Sequence, residues 1–96
     1  MKITIYQEIN PTFRVDSNKK LYKIGDYKIV WEGEVVMLEE SVEDFLEVIF
    51  GLFNNGNYPK NYEGHSLSVG DIVELENGDI WICADCGWNK VEWVQD

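Results

Sequence analysis

Alternating apolar and polar positions frame both ends of this chain, and one stretch of helical period lies between them. Lys2 to Glu8 reads KITIYQE, with Ile3, Ile5 and Gln7 on one side, which predicts a half-buried opening strand ended by Asn10-Pro11. Residues 14 to 20, RVDSNKK, read as a polar loop. Leu21 to Ile24 and Tyr27 to Val36 predict a second and third strand, with Gly25-Asp26 and Gly33 as turn or bulge positions. The pattern leaves open whether these form one hairpin or two separate pieces. From Val42 the period changes: Val42, Phe45, Leu46, Ile49, Leu52 and Phe53 fall on one helical stripe. Ser41 suits the N-cap with Asp44 three residues on, and Asn54, Asn55 and Gly56 tolerate the left-handed conformation that ends helices. A helix over 41–54 follows.

The clearest pairing signal lies beyond the helix. Ile72 to Glu76 and Asp79 to Cys83 flank Asn77-Gly78, the dipeptide suited to a two-residue type I′ turn. That turn would place Leu75 opposite Ile80, Val73 opposite Ile82, Glu76 opposite Asp79, Glu74 opposite Trp81 and Ile72 opposite Cys83. One face would then carry Val73, Leu75, Ile80, Ile82 and Ala84 as core, and the other Glu74, Glu76 and Asp79 around Trp81. Lys90 to Val94 alternates again, with Val91 and Trp93 together, and returns as a further strand after a turn at Gly87. The expected architecture is α+β: a single domain over 1–96, with an antiparallel sheet of about five strands and one helix packed on one face. The apolar stripe of that helix would meet Val73, Leu75, Ile80 and Ile82.

Charge narrows the function more than composition does. With 96 residues, 45% of them hydrophobic, the chain can bury one modest core. Its formal charge is −10 and strongly polarised. Residues 1 to 28 carry six bases against three acids; residues 29 to 96 carry fifteen acids against Lys60 and Lys90 alone. Such a surface lacks the cations that displace counterions from phosphates, so direct nucleic-acid binding is not expected, and anionic membranes repel it. No apolar run approaches the roughly 20 residues of a membrane span, and the opening residues resemble no signal peptide. A cytoplasmic protein is expected. A polyanionic surface attracts proteins whose own surface is basic because it handles nucleic acid.

Two acidic faces are the candidate partner-binding surface. Glu40, Glu43, Asp44 and Glu47 stand at i, i+3, i+4 and i+7 on the predicted helix with no base at pairing distance. Like charges at this spacing cost roughly 0.2–0.5 kcal/mol each, while acids in a first turn gain a similar amount from the helix dipole. Glu47 is the residue that the dipole explains least. The second face is Glu74, Glu76 and Asp79, with Trp81 as an aromatic anchor.

Catalytic and metal chemistry find less support. Cys83-Ala84-Asp85-Cys86 is half a structural zinc site; His65 could add a third ligand and no fourth is evident. A redox pair wants its thiols at a helix N-terminus, whereas these follow a strand. His65, Ser66 and Ser68 are sequence neighbours and do not make a triad; they read as a turn into a strand, with polar side chains satisfying nearby backbone. No glycine-rich loop precedes a helix. No cofactor, no metal and no enzymatic activity are expected.

From Phe53-Asn54 through Pro59, Tyr62, Gly64 and the string His65-Ser66-Leu67-Ser68-Val69-Gly70-Asp71-Ile72-Val73 to Gly87-Trp88, the chain resembles the YodL-like domain of bacterial phages and conjugative elements. It departs from that family at Cys86, where relatives show an apolar or aromatic residue. The resemblance implies an accessory role in a mobile element, with some relatives placed near antirestriction functions. The leading expectation is a non-enzymatic inhibitor that binds a host nucleic-acid-binding defence enzyme, in the manner of antirestriction or anti-CRISPR proteins or nucleic-acid mimics. Alternatives are an interaction module using an apolar groove or sheet edge, and a small zinc or redox protein using Cys83 and Cys86.

Overall fold

A computed structural model describes residues 1–10, 17–56 and 58–94. Six strands form one sheet in the order β2-β6-β5-β4-β1-β3, so the expectation of about five purely antiparallel strands is corrected. The strands are β1 (Lys2–Glu8), β2 (Leu21–Tyr22), β3 (Tyr27–Glu34), β4 (Ile72–Leu75), β5 (Ile80–Ala84) and β6 (Gly87–Trp93), with one helix, α1 (Val42–Leu52). All neighbours are antiparallel except β2 and β6, which run parallel. β2 is two residues long because a 3₁₀ turn at Ile24–Asp26 diverts the chain at once. β2 and β3 therefore lie on opposite edges of the sheet and form two separate pieces, not one hairpin. The expected stop at Asn10-Pro11 and the start of the 14–20 loop fall partly outside the described residues.

β1 occupies the predicted span and lies between β3 and β4. Its pairing with β3 slips between Ile5 and Tyr6, leaving Val30 as the extra residue of a bulge. The bulge sits three residues before the expected irregularity at Gly33. The helix also matches its pattern: the Ser41 hydroxyl accepts from the Asp44 backbone N–H at 3.1 Å, and Gly56 takes a left-handed φ of 83° beyond the last turn. Phe45, Leu46, Ile49 and Phe53 are fully buried against Ile3, Ile5, Val73 and Leu75. Burying each such side chain contributes roughly 1.5–3 kcal/mol, so this helix-covered face is the main core. Leu52 stays largely exposed at the edge of the stripe.

The β4–β5 hairpin departs from its predicted register by one residue. Ile72 pairs with Ile82, Val73 with Trp81 and Glu74 with Ile80. The loop has three residues, closed by Leu75 N–H to Asp79 O at 2.8 Å and Gly78 N–H to Leu75 O at 2.9 Å. Gly78 alone takes a positive φ, 93°. Asn77 instead uses its side chain, whose carbonyl accepts from the Asp79 backbone N–H at 2.9 Å. This is the geometry of a turn closed by a left-handed glycine bulge, not a type I′ turn.

A one-residue slip turns a strand over. Ile80 and Ile82 therefore face away from the helix, and the expected contact of α1 with them is replaced by a second core. There Ile72, Ile80, Ile82 and Val91 pack with Tyr6, Tyr22 and Tyr27. The Trp93 ring meets Tyr6 and Tyr27 edge-on, at 5.2 and 5.7 Å between centroids. Trp81 turns to the helix side and is partly buried against the first core. No helix among the described residues is long and apolar enough to cross a membrane.

Candidate functional site

The ridge of α1 that faces solvent follows from its apolar stripe. With Phe45, Leu46 and Ile49 turned inward, Glu43, Asp44 and Glu47 are exposed on the opposite side; Glu40, expected on the same helix, is exposed too but lies before the Ser41 N-cap, outside α1. Among the described residues none of the four enters an ion pair. Glu43 and Asp44 lie in the first turn, where the dipole favours them; Glu47 lies beyond it.

The acids of the hairpin are placed differently, because the shifted register scatters them. Glu74 turns to the second core, where it accepts from the Tyr6 hydroxyl at 2.8 Å. Burial, with this bond and the charge of Glu74, pushes the Tyr6 hydroxyl well above the usual tyrosine range. Glu76 accepts from the Lys2 backbone N–H at 2.8 Å and lies 3.9 Å from the Met1 ammonium. Asp79 pairs with Lys90 at 3.3 Å. Glu76 and Asp79 do not oppose each other; they flank the tip of the loop. Trp81 is on the other face of the sheet from Glu74, and its buried indole N–H has no hydrogen-bond partner among the described residues. The structure thus keeps Glu43, Asp44 and Glu47 on one helix, with Glu40 just before its cap, and divides Glu74, Glu76, Asp79 and Trp81 among separate surroundings.

The segment His65 to Val73 packs around a residue that sequence reasoning passed over. Asp71 is 4% exposed, at the entrance to β4. One of its oxygens accepts from the Ser68 backbone N–H at 2.9 Å and from the Gln7 amide at 3.0 Å. Gln7, equally buried on β1, also donates to the His65 carbonyl at 2.9 Å and the Tyr62 hydroxyl at 3.1 Å, and accepts from the His65 backbone N–H at 3.1 Å. Tyr62 donates to the same His65 carbonyl, and the Tyr58 and Ser66 hydroxyls share a bond beside it. A Cβ at Gly64 would overlap the Gln7 carbonyl oxygen and press on Val30, so the loop can lie this close only with glycine there.

Desolvation raises the Asp71 carboxyl to about 6, against the lowering influence of its bonds to Ser68 and Gln7 and the nearby His65. Burial likewise lifts Tyr62 to about 12. The network fastens the 58–71 loop to the opening strand. The expected turn is present, with Asp71 N–H to Ser68 O at 3.0 Å; the His65 ring Nδ1 bonds the Ser66 carbonyl at 2.7 Å, as expected of the polar side chains here, while Asp71 and not a serine takes the Ser68 N–H. The visible signal was Gln7 itself, a polar residue on the inward side of β1.

The two thiols part company. Cys83 is buried, and its thiol is pushed up to about 11 by desolvation and neighbouring carboxylates, whereas Cys86 is exposed in a tight turn between Ala84 and Gly87. Among the described residues no group of three or more His, Cys, Asp or Glu is placed to hold a metal ion.

The model of the YodL-like domain matches residues 1–93, so the likeness carried by the His65–Val73 string extends through α1 and β1 to nearly the whole chain. The chain belongs to that family. No curated protein and no solved structure matches it.

Proposed function

We propose that this YodL-like domain is a non-enzymatic protein of a phage or mobile element that binds a host defence enzyme acting on nucleic acid, through the exposed carboxylates of α1. The observation that carries the reading is the ridge Glu43, Asp44 and Glu47 on α1 with the exposed Glu40 just before its N-cap, four acids with no ion pair among the described residues. Neighbouring carboxylates at these spacings repel one another, and a basic surface laid against them would relieve that repulsion. Steering by such a field speeds encounter and is screened by salt. The hairpin acids contribute less, because Glu74, Glu76 and Asp79 each have a partner within the molecule.

Capture from a host lysate tests the assignment. Glu43→Lys with Glu47→Lys should reduce the retained partner by roughly tenfold or more, the range of paired charge losses at interfaces. Glu76→Lys should leave capture nearly unchanged. Equal capture by wild type and the helix variant would overturn the assignment to α1.

A further inference from the structure

We propose that the outer edge of β3, continued through residues 35–38, accepts an extended segment of a partner as an added strand, and that this segment carries apolar side chains in one half and basic side chains in the other. The edge is distinct from the acidic ridge of α1, and the proposal stands whether or not that ridge binds anything.

The register identifies which backbone groups are available. β3 is the last strand on its side of the sheet. The Val35 N–H points inward, to the Met1 carbonyl at 2.9 Å, and pairing continues inward as Gly33 with Ile3 and Trp31 with Ile5. In an antiparallel ladder the alternate residues turn their N–H and C=O groups the other way. Glu32, Glu34 and Val36 therefore offer theirs outward. The edge is closed further back, where the Glu63 N–H bonds to the Val30 carbonyl at 3.1 Å. From Glu32 to Leu38 it has no proline, and among the described residues no loop bonds to its outward backbone groups; proline and a covering loop are two of the devices that usually blunt such edges.

The side chains specify the occupant. Trp31, Val35 and Met37 pack against the first core, so the alternate residues Glu32, Glu34, Val36 and Leu38 project to solvent from the other side. Val36 is 75% and Leu38 83% exposed, more than the other exposed large apolar residues among those described, none of which exceeds 52%. Glu34 lies 3.4 Å from the Met1 ammonium and is 76% exposed, while Glu32 enters no ion pair among the described residues. These two acids followed by two apolar residues on one face match an antiparallel strand with two apolar residues followed by two bases, the base opposite Glu32 meeting the less compensated charge. Main-chain bonds would supply affinity and the alternate side chains selectivity. A second copy of the chain fits poorly, because association would bring together two molecules of formal charge −10.

The probe is a capped heptapeptide, Val-Thr-Val-Thr-Lys-Thr-Lys, whose valines would face Leu38 and Val36 and whose lysines would face Glu34 and Glu32. Titrating it against the full chain should slow hydrogen exchange of the Glu32, Glu34 and Val36 amides. Methylating the peptide nitrogens at its third and fifth positions, or replacing its lysines by glutamates, should weaken binding roughly tenfold or more. Val36→Pro should do the same, since it removes an outward N–H without touching the pairing to β1. Four results would each overturn the proposal: no binding at about 1 mM peptide, equal binding by the methylated or acidic peptide, protection confined to α1, or a concentration-dependent dimer that protects the same amides.

Discussion

The ridge of α1 and the tip of the β4–β5 hairpin carry the same charge and contrast in what surrounds it. On α1 and just before its cap, four carboxylates face water with no ion pair among the described residues. At the hairpin, Glu74 holds a tyrosine hydroxyl, Glu76 a backbone N–H of β1 and Asp79 a lysine. An acid that is already bonded within the molecule is part of the fold, and reversing it disturbs the fold first. An unpaired acid on a helix surface is free to meet something else. Asp71 marks the far end of this scale, a carboxylate used wholly inside.

The largest expected effect lies at that end. Asp71→Ala removes the acceptor for Gln7 and for the Ser68 N–H, and should cost about 2–4 kcal/mol in chemical denaturation. A loss no greater than that of a surface acid would break the contrast. Asp71 also makes the contrast depend on pH. Its folded value, about 6, stands above the ordinary aspartate value of 3.8, so the unfolded chain releases this proton first as pH rises. The stability it allows is complete below about pH 4 and falls as pH climbs to about 6, by on the order of 2–3 kcal/mol. Asp71→Asn should flatten that part of the stability profile relative to wild type; an identical slope in both would remove Asp71 from the account. Glu8, also raised by burial and by Asp26, should leave a smaller residual slope in the same direction.

Next in size is Tyr6→Phe, which takes the hydroxyl from Glu74 while leaving the ring against Trp93. It should cost about 0.5–1.5 kcal/mol. No loss would mean that Glu74 is as free as the acids of α1. The smallest effect belongs to Lys90→Met. The Asp79–Lys90 pair is well exposed, and its removal should change thermal stability by less than about 1 kcal/mol.

Much of this arrangement was legible in the chain, and its gaps have physical causes. The alternation of KITIYQE gave β1 its limits, and the six-residue stripe from Val42 with the Ser41 cap gave α1 to within about two residues. The hairpin was placed correctly and aligned wrongly. Asn77-Gly78 admits a two-residue turn, but the Asn77 side chain bonds back to Asp79 and leaves Gly78 as the one left-handed residue. β5 gave no warning, because Ile80 and Ile82 on one side and Trp81 and Cys83 on the other suit burial equally well. The resulting slip divides Glu74 from Trp81 and creates a second core that no single strand announced. Asp71 was hidden for another reason: its main partner, Gln7, is 64 residues away in sequence, and only the folded sheet brings them together.

The most direct test of the central claim is a salt series of partner capture by the wild-type chain and by the Glu43→Lys, Glu47→Lys variant. The account predicts wild-type capture that falls steeply between about 50 mM and 500 mM salt, is displaced by added duplex DNA, and is weak and nearly salt-independent in the variant. Capture that is the same for both proteins at every salt concentration, or that DNA does not displace, would contradict it.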